Sequence, residues 1–384
     1  MNPPVLVSDL LRPRIKPQHA VYRTIDGNVR LGATVAGIGV EIEDAGGWVW
    51  TLLGALDGTR SLAEATATVI SAHPTVTESE IVGATRQLLE AGFLEDADVA
   101  IPEQLPARHR ERYSRGAALL NWIDRSPRRS PWDIQVGLSR SRVLLIGVGG
   151  VGGTVAQGLV ASGVGQLHCV DDDTVELSNL NRQILYREDD LGRPKVDAAL
   201  GHLRALNSDV GITGEQLRVG DTGDIIELLR PGYDLLVCGA DQPRAIRRWA
   251  NRACARAAVP WVTGGYHGPL VSACVHVPGR GACWECLHDQ EVEQADTRLP
   301  AGVPQDGLQP RLPWNPANAV TAGITGNLVT YLALAVLTDA PPVEPGFRLG
   351  MNLAVPGESI IERYPPRPDC PICGDAAGPG DATA

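Results

Sequence analysis

Most of this 384-residue chain is expected to form an α/β, doubly wound sheet, preceded by a small α+β module. Three observations lead there. The apolar run Val143-Leu144-Leu145-Ile146 enters the glycine-rich turn Gly147 to Gly152 directly, extended and helical segments alternate from Arg142 onward, and the first hundred residues carry turns and helix caps of their own. With 34 basic against 45 acidic residues the net charge is −11, so the chain as a whole has no electrostatic attraction for nucleic acid or an anionic membrane. Any anion must be held locally. The first twenty residues lack the basic start and apolar run of a secretory signal, which places the protein in the cytoplasm, where its eight cysteines are read as thiols or metal ligands before disulfides.

Residues 1–100 form the first expected domain, closed by the turn-rich segment Asp96 to Pro106. The Asp26-Gly27-Asn28 turn separates two short alternating segments, a hairpin signal, and Val40 to Glu43 adds a third extended piece. Gly47 to Leu56 is apolar at helical spacing. Ser61 with Glu64 and Thr77 with Glu80 are capping boxes before the helices Ala63 to Ala72 and Ile81 to Ala91, Gly92 is the stop, and Phe93-Leu94 is an extended edge. This order describes a winged-helix-like module. Its 13 acids against 7 bases leave no basic face for DNA, so it is read as a peptide-recognition domain in which a partner strand adds to the Ala20 to Leu31 hairpin edge, or as a structural appendage. Residues 101–140 are an Arg-rich linker and helix, with Arg108, Arg112 and Arg115 on one helical face.

Residues 141–384 are the α/β domain. Its expected elements are the strand Val143 to Ile146, the helix Val155 to Ser162, the strand Gln166 to Val170, a helix near Lys195 to Leu206 and the strand Leu235 to Cys238. The uncharged stretch Ala319 to Leu337 is nearly long enough to span a bilayer, but it carries Asn327, Gly323 and Gly326 and lacks basic flanks, so a helix buried between protein layers is expected.

Glycines at 147, 149, 150 and 152 allow a tight turn and let the backbone approach a phosphate while the following helix supplies N–H donors. Asp171, 24 residues after the first glycine, is placed to bind ribose hydroxyls. A nicotinamide enzyme would fit that far. The polar stretch Asp171 to Gln183 does not suit a dehydrogenase, however, and Asn179, Arg182 and Lys195 set around the loop are what a triphosphate under attack requires.

On these residues the chain, from about 108 to 374, resembles the ubiquitin-activating-enzyme-like (ThiF/MoeB-type) adenylyltransferases, whose Rossmann-like domain transfers AMP from ATP to a carboxylate of a small protein or peptide. The resemblance implies that Asp171 holds the ribose, that Asn179, Arg182 and Lys195 contact the phosphates, and that Asp241 holds Mg²⁺. It also implies a homodimer, because Arg112-Tyr113-Ser114-Arg115 matches a family pattern whose last arginine, here Arg115, reaches the partner's site. Gln242-Pro243 follows Asp241 where the family commonly has asparagine. No cysteine lies between Cys286 and Cys370, which disfavours a thioester step, and Cys169, Cys238, Cys254 and Cys274 are expected to be inert core residues.

Cys283-Trp284-Glu285-Cys286 and Cys370-Pro371-Ile372-Cys373 are two C-x-x-C knuckles that together make a closed structural Zn²⁺ site, with His288 a bystander. Redox dithiols are disfavoured because neither pair sits at the N-terminus of an obvious helix in a thioredoxin-like unit. Asp289 to Asn318 is expected to be a mobile loop.

The N-terminal module also looks like leader-peptide recognition domains of ribosomal peptide natural-product pathways, which makes the whole chain similar to peptide-modifying enzymes of the microcin C adenylating type. The expected activity is adenylation of the C-terminal or side-chain carboxylate of a precursor peptide, with release of pyrophosphate. Two alternatives are a leader-binding partner of an azoline cyclodehydratase and an adenylyltransferase for a ubiquitin-like sulfur carrier protein.

Overall fold

The computed structural model describes residues 5–32, 35–128, 130–294, 300, 312, 314–355 and 357–374. Contacts divide the chain into two compact units, residues 1–137 with 338–341 and residues 138–337 with 342–384.

In the first unit, β1 (Pro13–Ile15) precedes a three-stranded antiparallel sheet of β2 (Val21–Arg23), β3 (Val29–Leu31) and β4 (Val40–Ile42), in the order β2-β3-β4. Gly27 turns the hairpin at φ +84°, a conformation that favours glycine. Helices α1 (Trp48–Ala55), α2 (Leu62–Ala72) and α3 (Glu78–Glu90) follow, and both expected capping boxes form. The Ser61 N–H donates to Glu64 Oε2 at 2.7 Å, and the Thr77 N–H to Glu80 Oε2 at 2.8 Å. Strand β5 (Leu94–Asp96) pairs antiparallel with β1, a pairing the sequence did not announce because Pro13-Arg14-Ile15 is too short to show alternation. Val29, Leu31, Leu52, Ala65, Ile81 and Leu94 fill the core between sheet and helices. Residues from the Arg-rich segment form α4 (Ala107–Ile123) and α5 (Asp133–Leu138).

Beneath α4 lies a buried polar cluster. Lys16 Nζ donates to the carbonyls of Asn121 (3.3 Å) and Asp124 (3.0 Å), and Arg125 donates to those of Ala91 and Ile38. His19 is buried edge-on against Phe93, with no partner for either ring nitrogen among the described residues. Burial, with Lys16 and Arg125 nearby, pulls its pKa down to about 4 from 6.5.

The second unit holds an eight-stranded mixed sheet in the order β13-β12-β11-β10-β9-β6-β7-β8. From β6 (Arg142–Ile146) the chain passes through α6 (Gly150–Ser162) to β7 (Gln166–Asp171), then through α7 (Lys195–Leu206) to β8 (Gly211–Gln216). It next returns through α8 (Thr222–Leu229) to β9 (Leu235–Cys238) on the other side of β6, and through α9 (Ile246–Ala257) to β10 (Trp261–His267). All five strands are parallel, and the reversal between β6 and β9 is the point where such sheets open a crevice. The antiparallel strands β11 (Leu270–His276), β12 (Phe347–Asn352) and β13 (Ser359–Arg363) extend the sheet beyond the doubly wound part expected from sequence.

Two further helices complete this unit. Helix α10 (Trp284–Gln294) begins inside the first cysteine knuckle, a helix start not read from the sequence, and it corrects the reading of residues 289–294 as loop. Residues 295–299, 301–311 and 313 of that expected loop lie outside the described residues. Helix α11 (Ala319–Thr338) is long and apolar enough to cross a membrane, and it packs here against α6. A Cβ on Gly326 would come within 2.5 Å of Thr154, and one on Gly158 within 2.7 Å of Thr330, so small residues on both helices set the close approach.

The uncharged burial of His19 predicts a pH dependence of the first unit. A folded pKa near 4 against 6.5 means that the unfolded chain binds the extra proton, so stability is full above pH 6.5 and falls as pH is lowered toward 4. Thermal melts across that interval should show this slope, and His19→Leu should flatten it.

Candidate functional site

The crevice at the strand reversal is a cavity of about 580 Å³, lined from the carboxyl ends of β6, β7, β9 and β10. Its floor is the glycine turn. Gly147 has φ +88°, and a Cβ there would stand 2.6 Å from Ala240 N, while a Cβ on Gly152 would stand 1.8 Å from Gly147 O. No other residue fits either position. Gly149 and Gly150 line the cavity at the start of α6.

Asp171 ends β7 at the cavity wall, its Oδ2 accepting from the Val148 N–H at 2.7 Å and its Oδ1 from the Asp173 N–H at 2.9 Å. Burial raises its pKa above the ordinary carboxylate value, opposed by the Lys195 charge and by these two bonds. Asn179 is buried and caps a short turn by accepting from the Glu176 N–H at 3.1 Å. Arg182 donates to Ser178 O (2.9 Å) and Asn181 Oδ1 (3.2 Å). Lys195, only 5% exposed, starts α7 and places Nζ 2.8 Å from Asp173 Oδ2. Asp241 is exposed at the cavity just after β9.

Asp171, Asn179, Arg182, Lys195 and Asp241 thus meet the glycine turn around one cavity. Arg115 does not line it; this arginine is exposed on α4 of the first unit. Sequence reasoning missed Tyr186, whose O–H donates to Val148 O at 2.8 Å and braces the turn from beneath, and the wall formed by Arg247, Gly264, Gly265 and Tyr266. Arg247 follows Asp241 by six residues across a strand-to-helix junction, which is the signal that could have drawn attention to it.

The four knuckle cysteines come together, their sulfurs all within 4.8 Å of one another. Cys283 and Cys370 are 3.6 Å apart at sulfur, and Cys286 and Cys373 3.4 Å. A tetrahedral thiolate site with metal–sulfur bonds of ~2.3 Å requires edges of roughly 3.8 Å, so the set fits such an ion. His288 is outside the cluster, stacked on Trp284. Cys169, Cys238, Cys254 and Cys274 are buried in the sheet and its helices, and burial pushes each thiol above its ordinary pKa, as expected for inert residues.

The reversal point, the glycine turn and the acid that ends the next strand define a nucleotide-binding α/β protein of Rossmann-like fold. The chain belongs to the ThiF family, whose model matches residues 116–372. The sulfur carrier protein adenylyltransferase of Thermus thermophilus is 33% identical over 247 residues, covering 63% of this chain and 85% of that protein. The SAMP-activating enzyme E1 of Haloferax volcanii is 33% identical over 238 residues, covering 62% and 82%. Among solved structures, Escherichia coli MccB superposes with a TM-score of 0.76 at 21% identity, over 94% of this chain and 97% of that one. Its complex with MccA-N7isoASN gives 0.72 at 22% identity, over 94% and 99%. The protein is an ATP-dependent adenylyltransferase.

The turn's geometry leads to a direct expectation. Gly152→Ala forces a Cβ onto Gly147 O and should abolish binding of the ATP analogue α,β-methylene-ATP in calorimetry, with the melting behaviour of the first unit unchanged.

Proposed function

We propose that the enzyme adenylates a carboxylate of a ribosomally made precursor peptide in natural-product biosynthesis. The observation that carries the adenylation chemistry is the convergence of Asp171, Asn179, Arg182, Lys195 and Asp241 on the glycine turn in one cavity. Asp171 binds the ribose, Asn179, Arg182 and Lys195 contact the phosphates, and Asp241 offers the hard oxygen ligand that Mg²⁺ takes. A peptide carboxylate is ionised at neutral pH, so no general base is needed. Its oxygen attacks the α-phosphorus, the bond to the β-phosphate bridging oxygen breaks, and pyrophosphate leaves with the electron pair. The residues align the carboxylate in line and offset the polyanion's charge. Arg115, exposed on α4, completes the site of a partner subunit in a homodimer, and the four cysteines hold a structural Zn²⁺.

A peptide substrate is supported by the first unit. The likeness to MccB extends over 94% of the chain, a share too large to omit that unit, whereas the sulfur carrier relatives match 62–63%. Among the described residues, strand β2 ends the three-stranded sheet with no strand beyond it. Thr24 N bonds Asn28 O and Gly32 N bonds Ala20 O across the hairpin, so by the antiparallel alternation Val21 and Arg23 turn their main-chain groups outward, where a winged-helix-like module would take up a peptide strand. The second reading, a ubiquitin-like sulfur carrier as substrate, is favoured by the names of those same relatives.

Exchange of labelled pyrophosphate into ATP, driven by peptides encoded beside the gene, tests the proposal. Arg182→Ala and Lys195→Ala should each cost roughly a hundredfold or more in exchange. Exchange driven only by a Gly-Gly-ended carrier protein would decide for the second reading, and tight peptide binding without exchange for a leader-binding role. In the same assay Val21→Pro, which removes an outward N–H from β2, should raise the peptide KM and leave the ATP KM unchanged.

A further inference from the structure

The cavity's cations are not equivalent. Lys195 is paired with Asp173 at 2.8 Å, Arg218 faces Asp172 at 3.9 Å, and Arg182 is held by Ser178 O and Asn181 Oδ1. All of these belong to the β7 side of the crevice or bridge from it. Arg247, on the first turn of α9, is different. One terminal nitrogen donates to the Gly264 carbonyl on β10 at 3.1 Å, the Nε is buried with no partner, and no carboxylate among the described residues pairs with it.

Its position in the sheet is also different. The order β10-β9-β6-β7 puts three interstrand gaps, about 14 Å at ~4.8 Å each, between the strand that Arg247 bonds and the strand that ends in the ribose-side Asp171. A nucleotide laid from Asp171 across the glycine turn reaches the β6–β9 reversal with its phosphates. The wall over β10 is left for the other reactant. There Gly264 and Gly265 leave the floor bare, and a Cβ on Gly265 would stand 2.7 Å from the Arg247 guanidinium, so the missing side chain keeps the cation open to the cavity.

We infer that Arg247 binds the carboxylate of the acyl substrate and is a specificity-determining residue for a free carboxylate terminus. The inference rests on the adenylating reading above. Arg247 holds one carboxylate oxygen by a charge-assisted bond while the other forms the bond to the α-phosphorus and the α–β bridging bond breaks toward pyrophosphate; no proton moves. After transfer the held oxygen is the carbonyl oxygen of the acyl-adenylate, still within reach of the same guanidinium.

That persistence supplies the test. Calorimetry on the full-length protein compares α,β-methylene-ATP with Mg²⁺, adenosine 5′-sulfamate, and the acyl-adenylate mimic in which N-acetylglycine is joined to that sulfamate. Wild-type protein should bind the mimic more tightly than the bare sulfamate. Arg247→Ala should erase that gain, a loss of about tenfold or more, with the affinities for the bare sulfamate and the ATP analogue unchanged. Arg247→Lys should restore part of it. A gain that survives in Arg247→Ala, a mimic bound no better than the sulfamate by wild type, or an equal weakening of all three compounds would overturn the role assigned to Arg247. Wild-type protein that binds none of the three would instead overturn the adenylating reading itself.

Discussion

Three main-chain segments meet under the cavity with almost no side chain between them. The turn after β6, the first turn of α6 and the end of β9 approach so closely that Gly152 excludes a Cβ by its distance to Gly147 O, Gly147 by its distance to Ala240 N, and Gly239 by 2.9 Å to Gly152 Cα. The alignment of helix α6 with the crevice, the exit direction of β9 and the placement of Asp241 all follow from that contact. Tyr186 reinforces it from below by donating its O–H to Val148 O, and burial raises the Tyr186 pKa, so this donor keeps its proton. The conformational freedom of glycine is used here to remove space.

Around this floor the charges are arranged before any ligand arrives. Asp171 is half-buried, and main-chain N–H groups of the glycine turn and of Asp173 bond both of its oxygens, so its acceptors are already oriented. Lys195 is buried and is paired with Asp173 from the adjacent loop, whose carbonyl also accepts the Lys195 main-chain N–H at 2.9 Å. Preorganised groups of this kind need little rearrangement when charge develops at phosphorus.

How much of this was legible in the sequence varied with the physics of each part. The glycine turn, Asp171, Arg182 and Lys195 could be read because they lie in one continuous stretch, each constrained by local backbone geometry. The capping boxes of α2 and α3 could be read for the same reason. Strand β1 could not, since three residues carry no period and its partner β5 is some eighty positions away. The antiparallel extension β11 to β13 was hidden for a similar reason, with β12 pairing β11 only after the long helix α11 intervenes. Arg247 and the Gly264-Gly265-Tyr266 wall were harder to read because a helix residue and a strand some seventeen positions on meet only through the packing of α9 against β10. The cysteine knuckles were legible as a set despite 83 intervening residues, because ligand chemistry fixes their spacing independently of the fold between them.

The sheet order has one more consequence. One wall of the cavity comes from the run Gly147 to Lys195 that follows β6 and β7, joined by Arg218 after β8, whereas the opposite wall comes from a second run, Gly239 to Tyr266, that follows β9 and takes in α9 and β10. The two runs meet at the reversal between β6 and β9, where Gly147 lies against Ala240 and Gly152 against Gly239. Under the proposed roles, a lineage carrying this architecture can rewrite the stretch from α9 to β10 for a new acyl partner while inheriting the glycine turn, Asp171, Lys195 and Asp241 unchanged, so diversification of cargo and retention of the energy source are separable at the level of the chain itself.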